Sequence, residues 1–257
     1  MTMRTWLVLR LEAPLLSFGA VAIDQRGVIW DFPGLSMLTG LFANALGWER
    51  TQRAEHQALQ DRLVFASRRE HEPYHGVFTD VQNAELEKSD CGWTTRGKPE
   101  GRDGGSYGGP HRRFRDYHPD ALITTVVSLA PPKRTLPAGV SSPLLNDLAA
   151  ALDRPERPLF IGRKPCMPAA NLNAGFILAA TAHAGISSLA PACADHTAEA
   201  PYRAQWPAGE GPTNGPQVDR SIALPDRRNW TSGLHGGTRH VIEGRVSAGP
   251  ARPQRMP

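Results

Sequence analysis

The chain has 257 residues, enough for one large domain or for a domain that carries a sizeable insertion. Its 25 glycines and 23 prolines exceed average usage, which predicts many loops. A hydrophobic fraction of 40% and a charged fraction of 21% exclude a disordered chain. No apolar run approaches the roughly 18 residues that a membrane-spanning helix needs, and the start lacks a signal-peptide pattern. We therefore expect a cytoplasmic protein without membrane contacts.

The basic residues favour arginine strongly. The formal net charge is +4, and 25 of the 29 basic residues are arginine. A guanidinium is planar, so it can donate two hydrogen bonds to one phosphate and stack on bases, which a lysine ammonium does not do. A GC-rich genome also replaces lysine codons by arginine codons with no functional meaning, and it is the commoner cause of such a ratio. Composition therefore favours a nucleic-acid partner only weakly.

Metal and nucleotide-cofactor sites have weak support in the sequence. Cys91, Cys166 and Cys193 are widely spaced, so they form neither a disulfide framework nor a zinc knuckle. The segment 71–75 approaches a zinc-protease motif, but its second histidine falls one residue early and its proline prevents the required helix. Phosphate-binding and dinucleotide fingerprints are absent. We predict no metal and no cofactor.

The first part of the chain alternates strand and helix patterns. A strand is predicted over 4–12, and Pro14 is expected to end it. An apolar helical face follows and is closed by Gly47 as a C-cap. A shorter polar helix over about 52–62 then leads into a strand over 63–69.

The second part repeats this alternation after a polar segment. The clearest strand of the chain is predicted over 121–129. Ser142 is then expected to N-cap a helix that has Pro143 at its first position. Further strands are predicted over 175–181 and 239–246. The order of elements is therefore β-α-β-β-α-β.

This order predicts an α+β fold with a ferredoxin-like or RRM-like core. We expect a single domain over 1–257, with a basic, glycine-rich insertion over 71–119 between the second and third strands. The residues 183–257 are expected to form an irregular, proline-rich C-terminal extension. This fold occurs in proteins with many different functions, so the fold alone does not decide the activity.

The insertion has the composition of a segment that binds a single nucleic-acid strand. Flexible glycines, cations that follow a phosphate backbone and rings that stack on bases suit such a ligand. A solvated hairpin that keeps the protein soluble explains the same composition equally well. The candidate residues are Arg96, Lys98, Arg102, Arg112, Arg113, Arg115, Tyr117 and His118.

Two further segments are candidates for phosphate contacts. Gly162 permits close approach of the backbone, and Arg163 with Lys164 has the charge to clamp a phosphate. An ordinary surface turn is the commoner explanation of such a segment. Arg26, in the loop after the first strand, lies near the expected sheet edge, although a loop arginine is more often simply solvated.

Catalysis has little support in the sequence. Metal-independent RNA cleavage needs a base near the 2′-hydroxyl and an acid at the leaving oxygen. Tyr117 and His118 supply the residue types, with Lys98 or Lys164 to stabilise charge. Adjacent residues on an extended segment point to opposite faces, however, so the pair does not converge on one phosphate. We predict no catalytic residues.

Four segments resemble the CasD family, the subunit of type I-E CRISPR Cascade within the RAMP superfamily. LRLEAPLLSFG at 9–19 resembles the first strand and loop of the family, and FPGLSMLTGL at 32–41 resembles its first helix. RDYH at 115–118, with the strand that follows, resembles the end of its hairpin insertion. RPLFIGRKPC at 157–166 resembles its most recognisable motif. The proline-rich stretch 191–225 departs from the family pattern.

The resemblance implies a subunit that caps one end of a crRNA-guided complex and holds the 5′ handle of the crRNA. The insertion then corresponds to a thumb hairpin that packs on the backbone subunit, CasC, with the large subunit, CasA, close by. Target DNA is recognised by guide pairing. The RNA-facing positions would be Arg26, the insertion around 96–117, and Gly162, Arg163 and Lys164.

Two alternatives remain. A related branch in type I-C systems is a metal-independent endoribonuclease that processes the crRNA precursor. An RRM-like RNA binder outside CRISPR defence is the other. The motifs are closer to type I-E, so the expected protein is a non-catalytic, antiviral RNA-binding subunit.

Overall fold

A computed structural model describes residues 2–21, 25–72, 76–84, 92–93, 99–100, 111–132, 135–136, 139–192 and 201–255. The strands are β1 (Arg4–Leu16), β2 (Arg26–Gly27), β3 (Leu63–His71), β4 (Phe78–Ala84), β5 (Gly92–Trp93), β6 (Pro99–Glu100), β7 (His111–Leu129), β8 (Asn173–Ala179), β9 (Tyr202–Pro207), β10 (Val218–Leu224) and β11 (Arg239–Val246). The helices are α1 (Leu35–Ala45), α2 (Arg53–Arg62), α3 (Leu145–Asp153) and α4 (Ala182–Ser188).

Seven strands follow one antiparallel path, in the order β10-β11-β9-β3-β7-β1-β8. The path places β1 between β7 and β8, with Leu9 opposite Thr125 and Trp6 opposite Ile177. Mixed helices and antiparallel strands confirm the predicted α+β class. In the part of the chain that the structure describes, no helix is long and apolar enough to cross a membrane.

The sheet has a hydrophobic core on each face. Leu7 and Leu9 of β1 face the core that includes α1 and α3. Trp6 and Val8 face the core that includes α4, β9 and β11. All four side chains are buried, because other elements cover both faces of β1. A central strand of this kind has a continuous run of apolar residues in its sequence.

The prediction that Pro14 ends the first strand is wrong, because β1 continues to Leu16. The Arg10 N–H donates to the Leu172 carbonyl at 3.0 Å, on the side of β1 away from β7. Backbone N–H groups alternate sides along a strand, so the nitrogen of every even-numbered residue of β1, including Pro14, faces away from β7. The pairing of β1 with β8 stops at Leu9, opposite Asn173. Pro14 thus lacks its N–H on a side that has no partner strand, where a proline is tolerated.

The predicted end of α1 and the predicted bounds of α2 are confirmed, but the predicted start of α3 is wrong. Gly47, at φ 75°, follows the end of α1 as predicted. Helix α3 begins three residues after Ser142, and Asp147 accepts a hydrogen bond from the Leu144 N–H at 2.7 Å. The Ser142 hydroxyl instead accepts from the buried Arg62 guanidinium at 2.7 Å, and Leu144 occupies the N-cap position of α3.

The expectation that residues 183–257 are irregular is also wrong. This segment contains most of α4 and the strands β9, β10 and β11, which extend the sheet beyond β3. Tyr202, Ala204 and Trp206 alternate along β9 and are buried under α4. Prolines such as Pro207 and Pro225 lie at the ends of these strands. The high proline content of the segment therefore predicts irregular structure, although short strands lie between the prolines. The predicted strand over 239–246 is confirmed as β11.

A buried ion pair on β3 attaches α4 to the sheet. The Arg68 guanidinium donates to Glu70 at 2.6 Å and to the carbonyls of Ile186 and Leu189 at 2.7 and 2.9 Å. Glu70 also accepts from the Thr124 hydroxyl at 2.5 Å. A buried charge left without its partner is costly, so both members must be present.

We expect Glu70→Ala to lower the free energy of unfolding by about 3–5 kcal/mol, because Arg68 would remain buried and unpaired. Arg220→Ala is the matched control: Arg220 pairs with Glu243, but its side chain is 63% exposed. The control should change stability by less than about 1 kcal/mol. Urea denaturation of both variants measures the difference, and equal effects would contradict this role for the buried pair.

Candidate nucleic-acid interface

The insertion forms a hairpin arm on an extension of β7. Strand β4 pairs antiparallel with the first half of β7, from Phe78 opposite Tyr117 to Ala84 opposite His111. On the other side, β2 pairs parallel with β7 at 114–115. The predicted candidates Arg96, Lys98 and Arg102 lie outside the described residues.

A tight turn over 161–166, the Gly162 turn, packs against the loop after β1. Gly162 has φ 100°, and a Cβ added there would lie 1.7 Å from the Ser17 carbonyl oxygen. The Ser17 N–H donates to the Ile161 carbonyl at 3.2 Å, which holds the two segments together. Glycine is therefore required at this position by close backbone packing as well as by the backbone conformation.

Arg163 joins this turn to the hairpin. Its guanidinium donates to the Asp116 carbonyl at 2.9 Å and to the Gly27 carbonyl at 2.8 Å. It also lies 5.1 Å from the centre of the Tyr117 ring. Two of its five N–H groups are thus used to fix the hairpin root, by which we mean 26–27, 115–117 and Arg163.

No carboxylate among the described residues pairs with four other cations around the root, which are Arg26, Arg112, Arg115 and Lys164. Arg26 is exposed and lies 5.8 Å from the Phe114 ring centre. Arg112 is exposed and donates to the Asn83 side chain at 3.3 Å. Arg115 is half-buried and contacts only backbone carbonyls, whereas Lys164 is exposed. Arg113 is half-buried on the same strand. These cations outnumber Asp80 and Asp116, the carboxylates of β4 and of the first half of β7, so the described surface around the root carries net positive charge.

Tyr117 and His118 do not lie on this surface, which corrects their assignment as RNA-facing. Both are 3% exposed. In its neutral form, His118 donates from Nε2 to the Trp30 carbonyl at 2.9 Å, and its ring centre lies 5.9 Å from that of Phe18. Burial lowers the pKa of the His118 imidazole. Both residues belong to the interior because β7 enters the body sheet at this point.

A cleft of about 560 Å³ opens beside the Gly162 turn, between α1 and the loop that contains Trp230. Sequence reasoning missed it, because residues from five separate parts of the chain form it. Among the described residues that line it, none is aspartate or glutamate. The principal side chains of this basic cleft are Ser17, Asn44, Trp48, Arg50, His56, Arg157, Phe160, Arg163, Arg228 and Trp230.

No metal centre is evident in the described parts of the chain, where no three histidine, cysteine, aspartate or glutamate side chains are grouped to hold an ion. Cys166 is buried in the Gly162 turn, and burial raises the pKa of its thiol. It is therefore a packing residue in this turn.

A family model described as CRISPR-associated protein (Cas_Cas5) matches residues 6–242. The chain belongs to this family. A curated relative, the CRISPR system Cascade subunit CasD of Escherichia coli strain K12, is 25% identical over 164 residues, or 64% of this chain and 67% of that protein. The resemblance to the CasD family is thereby confirmed.

Solved structures show the same fold. A chain of a CRISPR RNA-guided surveillance complex superposes with a TM-score of 0.63 and 19% identity, over 95% of this chain and 90% of that one. A crystal structure of a Cas protein superposes with a TM-score of 0.54 and 21% identity, over 96% and 100% of the two chains.

We expect Gly162→Ala to destabilise the protein strongly, because its Cβ would overlap the Ser17 carbonyl. Gly209→Ala is the matched control, with φ 88° and open space around its Cβ. The control should cost about 1–2 kcal/mol for the backbone conformation alone. Gly162→Ala should cost at least about 2 kcal/mol more in urea denaturation, and equal costs would refute the close packing.

Stability should also depend on the protonation of His118. Its pKa is lowered in the folded state, so the stability it contributes is complete above its unfolded pKa of about 6.5 and is lost as pH falls towards the folded value. We expect the melting temperature to fall between pH 7 and pH 5. His118→Asn should reduce this slope, leaving the part due to His183, whose pKa burial also lowers. An unchanged slope would contradict the assignment.

Proposed function

We propose that this chain is the non-catalytic RNA-binding subunit of a type I-E CRISPR surveillance complex, where it holds the 5′ handle of the crRNA in antiviral defence in the cytoplasm. The observation that carries the proposal is the net positive charge of the described residues around the hairpin root, next to the basic cleft. The family membership and the printed descriptions of the relatives support it.

The charge distribution supports a phosphate backbone as ligand. Elsewhere on the body, arginines commonly lie against carboxylates, as Arg203 does with Asp31 and Arg239 with Asp226, at 2.5 and 2.6 Å. Arg26, Arg112 and Lys164 have no such partner among the described residues. Unpaired surface cations repel one another, and a phosphodiester chain relieves this repulsion.

The core is proposed to be ferredoxin-like within this family. The four strands that correspond to the predicted β-α-β-β-α-β units lie side by side as β3-β7-β1-β8. Each neighbouring pair is antiparallel, and α1 and α3 pack on the same face. Strands β9–β11 then extend this core beyond its second strand.

The hairpin also offers a surface for a protein partner. Val77, Phe78 and Val81, on and beside β4, are each about half exposed, at 50%, 50% and 51%. Val77 and Val81 are four residues apart and lie on one face of the hairpin, with Phe78 on the other, so the face of Val77 and Val81 offers an exposed apolar patch of the kind that marks a protein contact. We assign this surface to a CasC-type backbone subunit, with a CasA-type subunit and target DNA as further partners in the assembled complex.

The burial of His118 supports the absence of catalysis. An endoribonuclease of the type I-C kind needs an accessible acid and base at the scissile phosphate. The His118 Nε2 atom is occupied by the Trp30 carbonyl, and Tyr117 lies beneath the Arg163 guanidinium. Cleavage by this pair would require the hairpin root to open.

Filter binding of the purified chain to an RNA that contains the CRISPR repeat, with a titration of salt, tests RNA binding. We expect log Kd to depend steeply on log salt, with a slope of about 0.7 per neutralised phosphate. Arg26→Ala with Arg112→Ala should reduce this slope by about 1.4, because two phosphate contacts are lost. Arg220→Ala with Arg252→Ala removes the same charge from β10 and the C-terminal segment, and should leave the slope unchanged.

Denaturing gels of the same samples in EDTA test the absence of cleavage. Intact RNA is the expected result. A single cut within the repeat would replace the binding subunit by the endoribonuclease. A flat salt response, or equal losses in the two double variants, would refute the hairpin root as the phosphate-binding surface.

A further inference from the structure

We propose that Asp31 positions the hairpin root for RNA binding, through a network of charges that reaches the C-terminal strand β9. The inference rests on the proposed RNA-binding function and assigns to Asp31 a positioning role instead of a phosphate contact. The network consists of Asp31, Arg69, Glu72 and Arg203, and we call it the base network. It joins the body to the two connections that lead to the hairpin.

Strand β2, which carries Arg26 in the root, has little support of its own. It contains two residues and pairs with β7 at Phe114 and Arg115. The Gly27 carbonyl also accepts from Arg163. Because short strand pairs are marginally stable, the position of β2 depends on the chain that follows it. That chain, over 28–34, leads from β2 to α1.

Side chains from three strands of the body hold residues 30 and 31. His118 of β7 donates to the Trp30 carbonyl at 2.9 Å, and Arg69 of β3 donates to the Asp31 carbonyl at 2.5 Å. Arg203 of β9 donates to the Asp31 carboxylate at 2.5 Å. The Arg69 side chain is 2% exposed, so packing fixes its position. Asp31 therefore lies where three strands meet, four residues after the end of β2.

Glu72 brings the second connection into the same network. It follows β3 directly, on the path to β4. Its carboxylate lies 3.1 Å from Arg69 Nε and 3.2 Å from Arg203 Nη1. The same two guanidinium groups therefore hold the chain on both paths to the hairpin. A network of several charges contributes more to stability than an isolated surface pair.

The Asp31 carboxyl is ionised at neutral pH and takes part in the network in this form. Partial burial raises its pKa, but the hydrogen bond and the charge of Arg203, with the charge of Arg69, lower the pKa below its usual value. Asparagine has nearly the same shape without the charge, so Asp31→Asn removes the ionic contacts with little steric change. The Arg203 guanidinium would then keep its pair with Glu72 and lose its pair with Asp31.

The loss of this pair should lower the fraction of molecules in which the root is in its binding position. The apparent Kd rises as this fraction falls, whereas the phosphate contacts of the bound state stay the same. Electrostatics alone predict the opposite result, because removal of a carboxylate from a surface that binds an anion strengthens binding. The sign of the effect therefore separates positioning from charge.

Filter binding of the full chain to the repeat RNA tests the proposal. We expect Asp31→Asn to raise Kd about three- to tenfold at fixed salt and to leave the salt slope unchanged. Asp61→Asn is the matched control: Asp61 pairs with Arg227 at 2.9 Å, and these side chains are 42% and 36% exposed, against 44% and 36% for Asp31 and Arg203. Asp61 lies on α2, at the opposite end of β3 from Glu72. The control should not raise Kd.

Three results of this assay would overturn the positioning role. The first is an unchanged or lower Kd in Asp31→Asn. The second is an equal rise of Kd in Asp61→Asn. The third is a reduced salt slope in Asp31→Asn, because it would mean that the bound state itself has lost phosphate contacts.

Hydrogen exchange of the free chain measures the position of the root without RNA. The Phe114 N–H donates to the Gln25 carbonyl at 3.0 Å, beside β2. We expect the amides over 111–117 to exchange faster in Asp31→Asn than in the wild type and in Asp61→Asn. The amides over 121–127, in the body half of β7, should keep the wild-type rate. Unchanged exchange at the root, or faster exchange throughout the chain, would contradict the proposal.

The two assays separate this inference from the proposed function. Salt-dependent RNA binding that is insensitive to Asp31→Asn would overturn the inference and leave the RNA-binding role. Faster exchange confined to the root in Asp31→Asn, in a chain that does not bind repeat RNA, would support the positioning of the root and overturn the RNA-binding role.

Discussion

Strand β7 ties the hairpin to the body, because one continuous backbone of 19 residues belongs to both. Its second half pairs with β1 and β3, and its first half pairs with β4 and β2. Hydrogen bonds on both sides of a strand leave it little freedom to bend, so the direction of the hairpin is set by the body sheet. Asp120, at φ 46°, marks the junction between the two halves. Arg163 then fixes the root with two hydrogen bonds to backbone carbonyls.

The arginines of the body and those around the hairpin root differ in their partners. In the body, Arg68 is fully buried, pairs with Glu70 and donates to the carbonyls of Ile186 and Leu189. In the root and on the adjoining hairpin, Arg26 and Arg112 are exposed and have no carboxylate partner among the described residues. The first arrangement attaches α4 to the sheet, whereas the second leaves positive charge on the described surface that attracts an external anion. This contrast distinguishes structural arginines from candidate ligand-binding ones in a chain where arginine is abundant.

Prediction from sequence succeeded where local periodicity decides the structure. The α1 face, its end at Gly47 and the strand over 239–246 follow from apolar spacing and glycine conformation alone. It failed where a distant residue intervenes. The sequence predicts Ser142 as an N-cap, but its hydroxyl accepts a hydrogen bond from the Arg62 guanidinium instead. The composition of the proline-rich C-terminal segment predicts irregular structure. Strand β9 forms there because its side chains are buried under α4, and composition contains no information on that contact.

The sequence by itself determined the α+β class, the place of the hairpin insertion and the family, because these depend on the order and spacing of neighbouring residues. Only the tertiary structure decided which candidate residues are available to a ligand. It buries His118 against the Trp30 carbonyl and leaves Arg26 exposed, although both read as RNA-facing. It also brings Ser17 and Trp230 to one cleft. Burial and proximity between such distant positions arise from sheet pairing and packing, which no local pattern encodes.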